Sequence, residues 1–216
     1  MDRFRSSVSS RNLISLPLAI GIVALLWIGY TALQTLFVTG YVTEPWSAIL
    51  GFVPGAIGVA VLIAAGLTRE QLFLRISPLS RKGFAVLAGI FVFGLAVVLP
   101  FGSWQGWNWM AALVYAPASG VSQELFFRSV LFPALLLGLK DRPRLALILH
   151  SILFGLWHMG PFFMGAPIWA ASAIVLVPFV CGLGWGWQVK HDRTVLWAMI
   201  QHTLIWVIGN QFLMPE

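Results

Sequence analysis

Apolar runs of about 20 residues recur from Leu13 to Leu213, separated by short connections, and they constrain this chain more than any other feature. Such a run is what an α-helix needs to cross a hydrocarbon core roughly 30 Å thick, whereas membrane strands show short segments of alternating polarity. At 59% hydrophobic and 9% charged, the 216 residues carry too few charges to cover a water-facing surface. The 21 glycines and 12 prolines lie dispersed in apolar runs, which excludes a disordered or fibrous chain. The expected fold is all-α, a polytopic transmembrane helical bundle.

A formal net charge of +6 raises the question of a nucleic-acid partner, and the placement of the basic residues answers it. Arg3, Arg5 and Arg11 precede the first run; Arg69, Arg75, Arg81 and Lys82 separate the second from the third. Lys140, Arg142 and Arg144 follow the fourth, and Lys190 and Arg193 precede the last. The intervening connections, around 40–45, 102–106 and 160–166, contain no Lys or Arg. The positive-inside rule reads this alternation as about seven spans with the N-terminus cytoplasmic, at 13–38, 46–67, 83–101, 107–139, 145–159, 167–187 and 194–213. The cations then anchor at anionic headgroups, so membrane lipids are the expected partners and nucleic acid is not.

The first run, about 26 residues long, exceeds the apolar stretch of a signal peptide and is expected to remain as a helix. Segment 68–82 mixes Leu72, Phe73, Leu74 and Ile76 with Arg and Glu, which suits either a short interfacial helix or a plain loop on the cytoplasmic face. Gly51 with Gly55, and Gly182 with Gly186, place small residues four apart for close helix approach. Pro54, Pro117, Pro133 and Pro178 are positioned to kink their spans. Most of the 11 tryptophans, including Trp104, Trp107 and Trp109, fit an interfacial aromatic belt. The single Cys181 excludes an internal disulfide.

Polar residues in three spans are what apolar composition does not explain. Gln123, Glu124, Arg128, His150, His158, Gln201, His202 and Asn210 lie in or beside the fourth, fifth and seventh runs. Ionisable groups at membrane depth cost on the order of 2.5–3.5 kcal/mol each on insertion scales. Counted at 1.5 Å per residue from the basic ends, Glu124 lies about 24 Å deep, Arg128 about 18 Å, His158 about 21 Å and His202 about 12 Å. Comparable depth on separate helices points to a shared interior pocket. The structural alternatives are mutual neutralisation of Glu124 and Arg128 at i,i+4, and interhelical hydrogen bonding by the histidines, which suffices for His150.

The motif Gln123-Glu-Leu-Phe-Phe-Arg128, then Phe154-Gly-Leu-Trp-His158, then Thr194-Val-Leu-Trp197 followed by His202, resembles the CPBP family of CAAX-protease and bacteriocin-processing (Abi) intramembrane peptidases. The resemblance runs from about Ala111 to Asn210, so 107–216 reads as the family core (spans 4–7), and 1–106 as preceding helices (spans 1–3) with the cytoplasmic basic loop 68–82, in one integrated membrane domain. It implies a glutamate-dependent endopeptidase. The first motif Glu and the second-motif His would activate a water, and the third-motif His and its Asn or Asp would stabilise the oxyanion. Two positions depart from the pattern: Gln123 occupies the first Glu position, and Trp206 stands where Asn or Asp is expected.

With that substitution the expected catalytic set is Glu124, His158 and His202, supported by Gln123, Arg128, Phe154, Trp206 and Asn210. Adjacent helical residues point about 100° apart, so Glu124 serves only if the helix is rotated or distorted there. Asn210, one turn beyond Trp206, is placed to compensate for it. The implied substrate is a membrane-associated or lipidated polypeptide, and the implied location a prokaryotic plasma membrane. No cofactor is expected; a zinc ion, if used, would fall to Glu124, His158 and His202. Two other functions fit the same residues: a catalytically impaired relative acting as adaptor or bacteriocin self-immunity factor, and a transporter or proton relay.

Overall fold

The computed structural model describes residues 13–213 apart from 44, 100–102 and 141. Among them the chain forms α1 (Leu16–Val38), α2 (Trp46–Ala64), α3 (Arg81–Val98), α4 (Ala111–Gly138), α5 (Pro143–Trp157), the single turn α6 (Gly160–Phe163), α7 (Ile168–Asp192) and α8 (Leu196–Leu213), with no strand. Five segments are long and apolar enough to cross a membrane: α1, α2, α4, α5 continued through α6, and α7. This is an integral membrane protein of helical type.

The core is built around α4. Seventy-two per cent of its apolar window is buried, against 39% or less for the other four segments. It packs on α2 and α8 and touches α1 and α5. Glycine sets these distances. A Cβ on Gly55 would lie 3.0 Å from Leu125, and one on Gly51 3.2 Å from Ser122 Oγ, so α2 rests directly on α4. On the other side, Gly120 brings α4 against the α8 backbone at Thr203. Gly182 places α7 on Ser151 of α5 in the same way, so both glycine pairs are used for close approach.

The α4 helix is not uniform. Five-residue π-helical stretches at Ala111–Tyr115 and Phe127–Leu131 flank the regular segment Ala116–Phe126. Each is followed within two residues by a proline, Pro117 or Pro133. Proline has no N–H and its ring crowds the carbonyl four residues back, and a widened turn relieves that conflict without breaking the helix.

Of segment 68–82, residues 68–80 form turns and extended chain, the loop alternative, and Arg81 and Lys82 open α3. Phe73 adopts φ 58° and is buried, stacking on Phe132 at 6.1 Å. Its carbonyl accepts the Val195 N–H at 2.9 Å, so the loop seals the start of α8. His191 lies in the last turn of α7 against Trp187, because the helix continues until Arg193 turns left-handed at φ 58°. Trp46, Trp104, Trp107, Trp109 and Trp169 are exposed, as a belt requires. Others are interior donors: Trp27 to the Leu153 carbonyl, Trp157 to the Tyr30 carbonyl and Trp197 to the Ser77 carbonyl.

Candidate active site

Two adjoining features are built from the polar residues: a sealed ionic cluster and an open cavity. In the cluster, Glu124 and Arg128 have no exposed side-chain surface. Regular helical spacing sets them one turn apart, and Arg128 Nε lies 3.0 Å from Glu124 Oε2. The approach is close but not aligned as a hydrogen bond, and neither Nη atom has a hydrogen-bond partner. The guanidinium instead lies over the Phe154 ring at 4.1 Å and the Trp185 ring at 5.1 Å. The other carboxylate oxygen, Oε1, accepts the Nδ1–H of His202 from α8 at 2.8 Å. One carboxylate is thus shared by a cation and an imidazole on separate helices.

His202 is fixed on every side. Its ring stacks on Trp185 at 4.4 Å and 25°. The Trp185 indole donates to Gln201 Oε1, whose amide Nε2 donates to the Leu87 carbonyl at 3.3 Å. The Trp206 indole N–H donates to His202 Nε2 at 3.0 Å. Indole is a donor only, so Nε2 must be the unprotonated nitrogen, and His202 is held as the Nδ1–H tautomer. In that state it has no proton to offer beyond Glu124.

The cavity, of about 580 Å³, lies among α1, α2, α4, α5, α7 and α8. Gln123, His158, Trp206 and Asn210 line it; Glu124, Arg128 and His202 do not. Neighbouring residues on a regular helix face different ways, and here Gln123 faces the cavity while Glu124 faces the cluster. Gln123 Nε2 donates to Ser119 Oγ at 2.6 Å, and its Oε1 is buried without a hydrogen-bond partner. His158 caps the C-terminus of α5, and its Nδ1–H donates to the Phe154 carbonyl at 2.9 Å. Phe154 and Trp157 hold that ring edge-on at 5.0 and 4.8 Å. Asn210 is buried, with Oδ1 unpartnered.

Phe154 therefore touches both features, lying 4.1 Å from Arg128 and 5.0 Å from His158. His150, expected as a satisfied interhelical hydrogen bonder, is not one: both ring nitrogens are buried without a hydrogen-bond partner, and the ring lies 4.9 Å from Phe132. Sequence reasoning did not single out Ser119, Ser122, Ser47 or Tyr30, all on the cavity wall. The i,i+4 spacing of Ser119 and Gln123 was the available signal. Among the described residues no group of three or more His, Cys, Asp or Glu is arranged to hold a metal ion.

A helical membrane protein that buries an acid, a guanidinium and an imidazole beside an open, largely apolar cavity carrying a few polar side chains belongs to the class with ionisable groups gathered at bilayer depth. Residues 105–208 match the family described as type II CAAX prenyl endopeptidase Rce1-like, in keeping with the resemblance to the CPBP and CAAX proteases. No curated protein and no solved structure matches the chain.

Proposed function

We propose that the protein is an intramembrane endopeptidase of CAAX-protease type, hydrolysing a peptide bond of a membrane-associated or lipidated polypeptide held in the cavity. It lies in a prokaryotic plasma membrane with seven spans and a cytoplasmic N-terminus, α3 and α8 adding to the five apolar segments. The observation that carries the reading is the state of His158. With Nδ1–H committed to the Phe154 carbonyl, Nε2 is left as an unprotonated lone pair on a residue of the cavity wall.

In the reaction, a water bound near the unpartnered Gln123 Oε1 gives a proton to His158 Nε2 as its oxygen attacks the scissile carbonyl carbon. The Asn210 amide, on the same wall, supplies N–H donors to the oxyanion. The His158 imidazolium then protonates the departing amine nitrogen, and the C–N bond breaks. Glu124, Arg128 and His202 act as positioning residues that hold α4, α5 and α8 in register behind the cavity. A zinc ion on Glu124, His158 and His202 would have to displace the Trp206 indole from His202 Nε2, so the scheme runs without one.

A specific observation favours a second reading: among the described residues no carboxylate lines the cavity, because Gln123 stands there and Glu124 is sealed. On that reading the same pocket retains a polypeptide segment without cutting it, as an adaptor or self-immunity factor. Purified protein in liposomes, presented with a membrane-peptide panel and followed by mass spectrometry, separates the two. Hydrolysis predicts slow cleavage by the wild type, loss in His158→Ala, and at least a tenfold gain in Gln123→Glu. Cleavage that survives His158→Ala removes the assigned base, and a wild type that binds without cutting while Gln123→Glu cuts establishes the second reading.

A further inference from the structure

Every helix that contributes to the cavity does so from the same end. Val38 closes α1, Ser47 lies in the first turn of α2, and His158 follows the last residue of α5. Ser119 and Ile174 lie in the first third of α4 and α7, and Asn210 lies in the last turn of α8. These are the ends that face the connections without Lys or Arg. The cavity reaches the surface there, because Gly40 and Thr43 of the α1–α2 connection are both exposed and both line it. Exposed Trp46, Trp104, Trp107, Trp109 and Trp169 cluster toward the same end, as at a headgroup boundary. The basic residues Arg69, Arg75, Arg81, Lys82, Lys190 and Arg193 belong to the opposite end, where the Phe73 loop closes over α8.

We infer that the cavity opens to the extracytoplasmic side of the membrane and receives a polypeptide stretch without charged side chains, delivered from that side. The inference rests on the reading of this cavity as a polypeptide site. Two arguments combine. The positive-inside rule puts the basic end in the cytoplasm and therefore the mouth outside. Among the described residues the wall contains no Asp, Glu, Lys or Arg, and Arg128 is sealed behind it, so a charged group of the guest would meet no counter-ion from them and remain uncompensated at membrane depth. Hydroxyl and amide groups of Ser47, Ser119, Ser122, Gln123 and Asn210 instead match the hydrogen-bonding needs of an unwound neutral backbone.

Sidedness is read without any catalytic assay. In a Cys181→Ala background, Tyr41→Cys beside the mouth and Ile76→Cys in the basic loop both replace side chains that are 82% exposed. Ser47→Cys reports the interior, with Thr43→Cys on the rim as its alternate if that variant folds poorly. With a membrane-impermeant thiol reagent on sealed right-side-out vesicles, Tyr41→Cys, Ser47→Cys and Thr43→Cys are expected to react at once, and Ile76→Cys only after permeabilisation. Reaction of Ile76→Cys first, or of Ser47→Cys only from the Ile76 side, overturns the extracytoplasmic mouth. A neutral membrane peptide added outside is expected to slow Ser47→Cys labelling at least fivefold, and the same peptide carrying a central Lys to leave it unchanged. Equal protection by both, or none by the neutral peptide, overturns the substrate class whether or not hydrolysis occurs.

Discussion

Replacing Arg128 by Met tests whether the ionic cluster is structural. Met keeps an apolar stem of similar reach but leaves the Glu124 carboxylate with the His202 N–H alone. Both partners of the pair have fully buried side chains, and Arg128 has no hydrogen bond at Nε, Nη1 or Nη2. Its desolvation is offset by one carboxylate at 3.0 Å and by the faces of Phe154 and Trp185. Breaking a buried pair by removing one partner typically costs about 3–5 kcal/mol, because the surviving charge is left uncompensated, and this corresponds to roughly a 150- to 5,000-fold shift in the folding equilibrium. Glu124→Gln strands the guanidinium instead and is expected to cost a similar amount. The double variant strands no charge and is expected to lie within about 1 kcal/mol of wild type. Reversible unfolding in mixed detergent and SDS micelles measures all three. A single Arg128→Met loss below about 1 kcal/mol, or a double variant no better than the sum of the singles, refutes the argument. If the double variant also cleaves peptide, Glu124 is not the base.

Gly120→Ala is expected to destabilise by about 1–3 kcal/mol, since the new Cβ would lie 2.8 Å from the Thr203 backbone N and 3.0 Å from its Cα, and backbone does not yield as a side chain does. Gly29→Ala, with nothing within 4 Å, is the control and should not lose stability in the same unfolding assay. Trp206→Phe removes the N–H that fixes His202 Nε2, at a cost of about 1 kcal/mol. Nitrogen-15 spectra of labelled histidine should then show the His202 Nε2 resonance shift as it loses its donor while Nδ1 stays protonated against Glu124, and an unchanged Nε2 shift would contradict the assigned bond.

Much of the bundle was written in hydropathy, because a lipid-crossing helix needs a continuous apolar run and little else. The helices follow the apolar runs to within a few residues at most ends. Where the limits moved, as at α7, the chain continued in helix past its apolar part to Arg193. The Glu124–Arg128 contact was readable from i,i+4 spacing. The meeting of Glu124 with His202 was less so, since counting from basic loops put them about 12 Å apart in depth. The count failed because Thr194 and Val195 are already buried under the Phe73 loop, so α8 begins inside the bundle. Which of Gln123 and Glu124 faces the cavity was not readable, because spacing along one helix does not fix its rotation against four neighbours. The indole bond from Trp206 to His202 likewise depends on a rotamer set by packing.

The division between the two features bears directly on the departures at Gln123 and Trp206. Of the family-pattern residues that this chain keeps, Glu124, Arg128 and His202 form the sealed cluster, and His158 alone among them reaches the cavity. Both positions that depart lie on the cavity wall. A substitution in the cluster would strand a charge among Phe154, Trp185 and the helix backbones, whereas a substitution on the wall faces space that water or a guest can fill. Folding therefore restricts the cluster tightly and the wall hardly at all. Gln123 keeps the shape of glutamate and a hydrogen bond to Ser119 without its charge, and Trp206 trades a small polar side chain for a donor that holds His202. The fold can persist through such changes while the chemistry on its wall is retuned, and the Gln123→Glu variant asks whether restoring that single charge makes the wall hydrolytic.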